Sequence, residues 1–132
     1  MRGFIVAAGL AVLATACSEA KQETPPPAQR SESAQTAVTG LCEAESLASG
    51  GGRDEARAVY EQESKSYLED LATQTRDQDP SLAAELLEAK RQVERALQAG
   101  DPELVTGLLG QLRAVVESAL AKLGMANVGC FK

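Results

Sequence analysis

Five oxygen-bearing side chains stand at a spacing that could hold a cation. Asp77, Asp79, Ser81, Glu85 and Glu88 occupy positions 1, 3, 5, 9 and 12 of a calcium-loop register, with Ala83 at position 7. Such a loop needs glycine at position 6 for its sharp turn. Leu82 stands there instead, and Pro80 is at position 4. Asp79-Pro80 is a helix start, because Asp caps well and Pro suits the first helical position. The expectation is a cap followed by solvated glutamates. Two further carboxylates, Glu45 and Glu63, fall on the apolar faces of predicted helices. Carboxylates from different helices can converge in a bundle to bind metal, and a buried pair would have raised pKa values. They are the weak candidates for a metal site. The plainer expectation is that each lies at a wet edge or pairs with an arginine. No cofactor is expected.

Catalytic chemistry has little to work with. The chain has no histidine, which removes His-based triads, His-ligated zinc and the most common general base. Gly50-Gly51-Gly52 lacks the Lys-Ser/Thr of a phosphate loop, and no Gly-x-Ser-x-Gly elbow is present. Lys65 lies between Ser64 and Ser66, but adjacent helical residues point to different sides, so a Ser–Lys dyad is not formed. The expectation is no enzyme and no catalytic residue.

The three cysteines are more informative. Residues 1–16 have the parts of an export signal: Arg2, an apolar run from Phe4 to Leu13, then small residues. That run is shorter than the roughly 20 apolar residues that span a bilayer. Leu13-Ala14-Thr15-Ala16-Cys17 resembles the lipobox of bacterial lipoproteins. The resemblance covers only the first 17 residues. It implies cleavage before Cys17, a diacylglyceryl group on its thiol, and attachment to a membrane of the cell envelope. The domain would then face the periplasm or the outside. Ser18, rather than Asp, is similar to the sorting signal for the outer membrane of a Gram-negative cell. More than one acyl chain makes such an anchor stable. Cys42 and Cys130 remain, an even pair in an oxidising setting, and are expected to form one disulfide. It would close a loop of about 89 residues, worth roughly 4–5 kcal/mol on the chain-entropy argument.

The chain of 132 residues carries a formal charge of −6, one more negative if Arg2 is cleaved away. That makes nucleic acid and anionic lipid head groups poor partners. Beyond Cys17 the only aromatics are Tyr60, Tyr67 and Phe131. A core of Leu, Val and Ala favours helices.

The elements follow from spacing. Residues 17–39, polar and with Pro25-Pro26-Pro27, read as a lipidated cysteine and a disordered tether. Residues 40–132 read as the folded domain. A short helix carries Val38, Leu41, Cys42, Glu45 and Ala48 and ends at the three glycines. A second helix over 53–76 places Ala56, Val59, Tyr60, Tyr67 and Leu71 on one face, with Glu63 inside it. A third opens at Asp79-Pro80 with Leu82, Leu86, Ala89, Val93, Ala96 and Leu97 as its stripe, and stops at Gly100. A fourth opens at Asp101-Pro102 with Leu104, Leu108, Leu112, Val115, Val116, Ala119 and Leu123, and is expected to be the most buried. The last two match at a spacing of 22 residues, among others Leu82/Leu104, Leu86/Leu108 and Val93/Val115. Convergence on one start signal explains this better than duplication. The fold class is all-α: a small up-down bundle of three long helices plus one short N-terminal helix, closed by a disulfide.

Two resemblances touch the domain. Ala48 to Glu61, with Gly52, Glu55-Ala56-Arg57 and Tyr60-Glu61, resembles the turn and second helix of a tetratricopeptide repeat, but an array needs about three units. The helices from Arg53 to Leu123, hinged at Asp79-Pro80 and Gly100-Asp101-Pro102, resemble the extracytoplasmic helical domains of bacterial iron permeases and their associated lipoproteins. The absence of histidine departs from that pattern, so no metal ligands are carried over. The expected function is a membrane-anchored envelope lipoprotein acting as a non-catalytic binding or assembly module, with an envelope protein as its partner. The alternative is a metal- or small-ligand-binding accessory of an envelope transport system.

Overall fold

The structure, a computed structural model, describes residues 27–130, and every regular element among them is helical. Helix α1 spans Pro27–Ser49. Helix α2 (Arg53–Val59), a π-helical turn (Tyr60–Ser64) and helix α3 (Lys65–Gln78) form one continuous rod. Helices α4 (Pro80–Ala99) and α5 (Pro102–Lys122) follow. The four rods close on one another: α1 packs against both the α2–α3 rod and α5, and α4 packs against α3 and α5.

The boundaries have local causes. Asp79 Oδ1 accepts the Leu82 N–H and Asp101 Oδ1 the Leu104 N–H, with proline in the first turn of each helix. Each cap satisfies a donor that the helix leaves free. At the end of α1, Gly51 adopts φ +91°, and the N–H groups of Gly51 and Gly52 return to the carbonyls of Ala48 and Leu47. Gly124 does the same after α5, at φ +84°. Both are glycine stops in which a left-handed residue satisfies the last carbonyls.

The N-terminal expectation needs correction. The first helix is not short and does not begin near residue 40; it has 23 residues and starts at Pro27. Thirteen positions assigned to the tether therefore belong to the bundle. The reason is a stripe of small residues. Ala34, Ala37, Val38, Leu41, Ala44 and Ala48 are all fully buried, at the 3–4-residue spacing of a packed helix. Alanine carries little hydropathy, and Ser, Thr and Gln between these positions make the segment read as polar.

The fourth predicted stripe is also rotated. The buried residues of α5 are Val105, Leu109, Leu112, Val116, Ala119 and Leu120. Leu108, Val115 and Leu123 are half-buried, and Leu104 is 49% exposed. Apolar residues surround most of this helix, so periodicity alone could not choose the face. Nor is α5 the most buried: α1 holds at least as many buried positions. The 22-residue matches share caps but not roles. Leu86 and Val93 are buried, whereas Leu108 and Val115 are only partly so.

The second rod differs from a straight helix. Its buried residues run Ala56, Tyr60, Ser64 and Leu68, every fourth position, then Leu71, Ala72 and Thr75. Four-residue steps drift off the face of an α-helix, which turns in 3.6 residues. The π turn takes up that drift. It also brings α1 close: Ser64 Oγ donates to the Ala37 carbonyl at 2.7 Å. A Cβ on Gly40 would stand 2.5 Å from Glu63 Cβ and 2.7 Å from Ser64 Oγ.

Gly40→Ala is therefore expected to destabilise the protein by about 1–3 kcal/mol, overpacking outweighing better helix propensity. Gly107, exposed within α5 with nothing within 4 Å of its added Cβ, is the control. Gly107→Ala should stabilise by about 0.5–1 kcal/mol. Thermal unfolding of the pair separates the two effects.

Candidate functional site

An open hollow of about 540 Å³ lies along α1. Cys42 and Cys130 both line it. Their Cα atoms are 5.9 Å apart and their sulfurs are in bonding contact. Cys42 is half-buried on α1, and Cys130 is exposed in the tail beyond α5. That tail is held to α1 by Gln35, which donates from Nε2 to the Gly129 carbonyl at 2.8 Å and accepts the Gly129 N–H at 3.4 Å. The remaining lining is carboxylate and hydroxyl, notably Glu43, Glu45, Thr39 and Ser46. An adjoining hollow of about 390 Å³ shares Thr39 and Glu43 and adds Glu32 and Glu63. Among the described residues no lysine or arginine lines either hollow.

Glu45 is half-buried and accepts from Arg113 of α5, Nε to Oε1 at 3.1 Å and Nη2 to Oε2 at 3.5 Å. That bond holds the guanidinium pKa above its usual value. Arg113 also meets Glu117 at 3.7 Å. Glu63, placed by helical angle inside the apolar face, is exposed, in keeping with the plainer expectation of a wet edge. The π turn at residues 60–64 rotates it outward and gives its place to Ser64. Glu45 and Glu63 open onto different hollows. Among the described residues no group of three or more His, Cys, Asp and Glu side chains could hold a metal. The residues of the calcium register are the end of α3, a cap and the first turns of α4. Asp79 itself also pairs with Lys122 at 3.4 Å. Cys17 and Phe131 lie outside the described residues.

A second polar cluster was not visible in the sequence. Tyr60, 1% exposed, donates from its hydroxyl to Glu94 Oε2 at 2.7 Å. Lys90, 8% exposed, reaches the same oxygen at 2.8 Å and Glu69 Oε2 at 3.2 Å. Burial, reinforced by the bond to Glu94, pushes the Tyr60 phenol far above its usual range. Burial alone would lower the Lys90 ammonium, but the hydrogen bonds of Glu94 and Glu69 overcome it and hold the pKa up. Burial likewise opposes ionisation of Glu94, and the bonds from Lys90 and Tyr60 reverse that, leaving its pKa below the usual carboxylate value. A small hollow of about 60 Å³ lies beside Tyr60 and Glu94, with Arg57 and Lys65 at its edge. The signal for this cluster was a lysine in stripe register, between Leu86 and Val93; the neighbouring Ala89 took its place in the predicted face.

Chemically, the cluster is a satisfied set of opposite charges that clamps α4 to the second rod. The α1 hollow presents an accessible sulfur pair among carboxylates and hydroxyls. No protein-family model, curated protein or solved structure matches this chain.

Tyr60→Phe should cost about 1–2 kcal/mol at neutral pH, since it removes a hydrogen bond to a charged group. The pH dependence has a defined sign. Raised folded-state values of Tyr60 and Lys90 contribute stability that is complete below their unfolded values, 10.0 and 10.5. It is lost as pH rises beyond them. The lowered value of Glu94 contributes stability above its unfolded value of 4.5, lost as pH falls through the folded one. Denaturant midpoints from pH 3 to 11 should fall at both ends, and Tyr60→Phe should flatten the alkaline limb.

Proposed function

We propose that this protein is a membrane-anchored lipoprotein of the bacterial cell envelope, serving as a non-catalytic binding or assembly module. The observation that carries this reading is Leu13-Ala14-Thr15-Ala16-Cys17 after a short apolar run. The mature chain begins at Cys17, holds a membrane through acyl groups there, and exposes its bundle to the periplasm or the outside. Nine residues, 18–26, separate Cys17 from Pro27. Fully extended they reach about 30 Å, so the module works close to its membrane rather than on a long leash.

The rods alternate in direction. Three residues join α1 to α2, one joins α3 to α4 and two join α4 to α5, and connections this short make neighbours antiparallel. Arg53 Nη1, after the first turn, donates to the Gly100 carbonyl at 3.0 Å, in line with both turns sharing one end. The Cys42–Cys130 bond closes the bundle, tying the tail to α1. The bundle's open surface along α1 is where an envelope protein docks. A metal- or small-ligand-binding role has less behind it, since Glu45 is engaged by Arg113 and Glu63 faces solvent.

Intact mass spectrometry of membrane-extracted protein tests the reading. The expected mass starts at Cys17, carries acyl chains, and rises by two hydrogens on reduction. Cys17→Ser should move the protein from the membrane to the soluble fraction. An unlipidated mass, or a membrane-bound Cys17→Ser protein, would refute the anchor.

A further inference from the structure

We infer that the Cys42–Cys130 pair is a thiol–disulfide exchange site, open in the folded protein and selective for a thiol carried on a cationic partner. This rests on the two cysteines being bonded in the mature protein. Three observations carry it. The sulfur pair lines the open α1 hollow, with Cys42 also resting on the edge of the core. Its two ends differ, with Cys130 exposed on the tail and Cys42 half-buried on a helix. The hollow and its neighbour are lined by Glu32, Glu43, Glu45 and Glu63 and, among the described residues, by no lysine or arginine.

Access decides which sulfur is attacked. An incoming thiolate bonds to Cys130 Sγ. The Cys42–Cys130 bond breaks, its electron pair leaves on Cys42 Sγ, and that sulfur takes a proton from solvent. A second thiol attacks the mixed disulfide, forming the partner's disulfide and releasing the Cys130 thiol. Two partner thiols are oxidised and one protein disulfide is reduced. The reductant is a dithiol or two monothiols. Opening the bond leaves the tail held by the two Gln35–Gly129 hydrogen bonds, the buried Met125 and the half-buried Val128. The packed helices need not come apart.

The carboxylates set the preference. A thiolate approaching Cys130 meets Glu43 and Glu45, and Arg113 offsets part of the charge of Glu45. An ammonium on the attacking molecule cancels the repulsion, and a further anionic group adds to it. Over the few ångströms involved such differences survive at low salt and fade above about 0.5 M.

The experiment uses folded, lipid-free mature protein. Cysteamine, 2-mercaptoethanol and 2-mercaptoethanesulfonate carry positive, neutral and negative groups beside the thiol. Exchange is followed by mass, per unit of thiolate, with 2-hydroxyethyl disulfide as the uncharged reference. The inference expects exchange without denaturant and cysteamine faster than the sulfonate by about tenfold relative to the reference at low salt. It expects that ratio to shrink in Glu43→Gln, an exposed position where folding is kept. Helical circular dichroism should persist after reduction, while hydrogen exchange rises in residues 124–130. Exchange that proceeds only as the protein unfolds in denaturant would overturn the site. A charge-blind ratio, unchanged in Glu43→Gln, would overturn the selectivity. Free thiols in the starting protein would instead sink the disulfide reading beneath both.

Discussion

The contact between α1 and the π-helical turn is the constraint on which the rest of the bundle depends. With one tyrosine as its largest buried side chain and otherwise Leu, Val and Ala apart from Met125, this core cannot fill wide gaps. Its helices must approach closely instead, because interiors are stable only at high packing density. Gly40 allows that approach, and Ser64 turns it into a hydrogen bond with the Ala37 carbonyl. The π turn is what presents Ser64 rather than Glu63 to α1. Once α1 is seated there, its opposite flank meets α5, and the ring of four rods closes.

The second organising feature is electrostatic. Tyr60, Lys90, Glu94 and Glu69 place charge at the edge of an otherwise apolar seam between the second rod and α4. A charge in such a place is tolerated only when paired and hydrogen-bonded. Here each polar end has a partner, and Glu69 remains mostly exposed, so the cluster is anchored to water on one side. The arrangement favours the rotation of α4 that turns Lys90 toward Glu69 of the second rod. The α1 surface is the contrast: carboxylates and hydroxyls line open hollows there. The molecule thus has a fully paired polar seam on one flank and an open acidic surface with a sulfur pair on another.

Sequence reasoning reached the helices that begin with strong local signals. Asp79-Pro80, Asp101-Pro102, Gly100 and the glycine run all act where their chemistry says they should, because caps and stops are settled within four residues of chain. It also paired Cys42 with Cys130 by setting Cys17 aside as the lipid site, and the fold places their Cα atoms 5.9 Å apart. It stopped short at α1. A stripe of alanines earns its burial from what it packs against, and nothing within residues 27–39 reveals that neighbour.

The chain by itself determined that the domain is helical, where three of its connections fall, and that its chemistry must do without histidine. Tertiary structure alone decided which faces point inward. Leu104 lies exposed while Val105 is buried, although both are apolar. Lys90 is buried while Glu63 is not, although a lone sequence favours neither. The physical reason is that helix propensity and capping are local energies, whereas the rotation of a helix is set by close packing and charge pairing between segments distant in the chain.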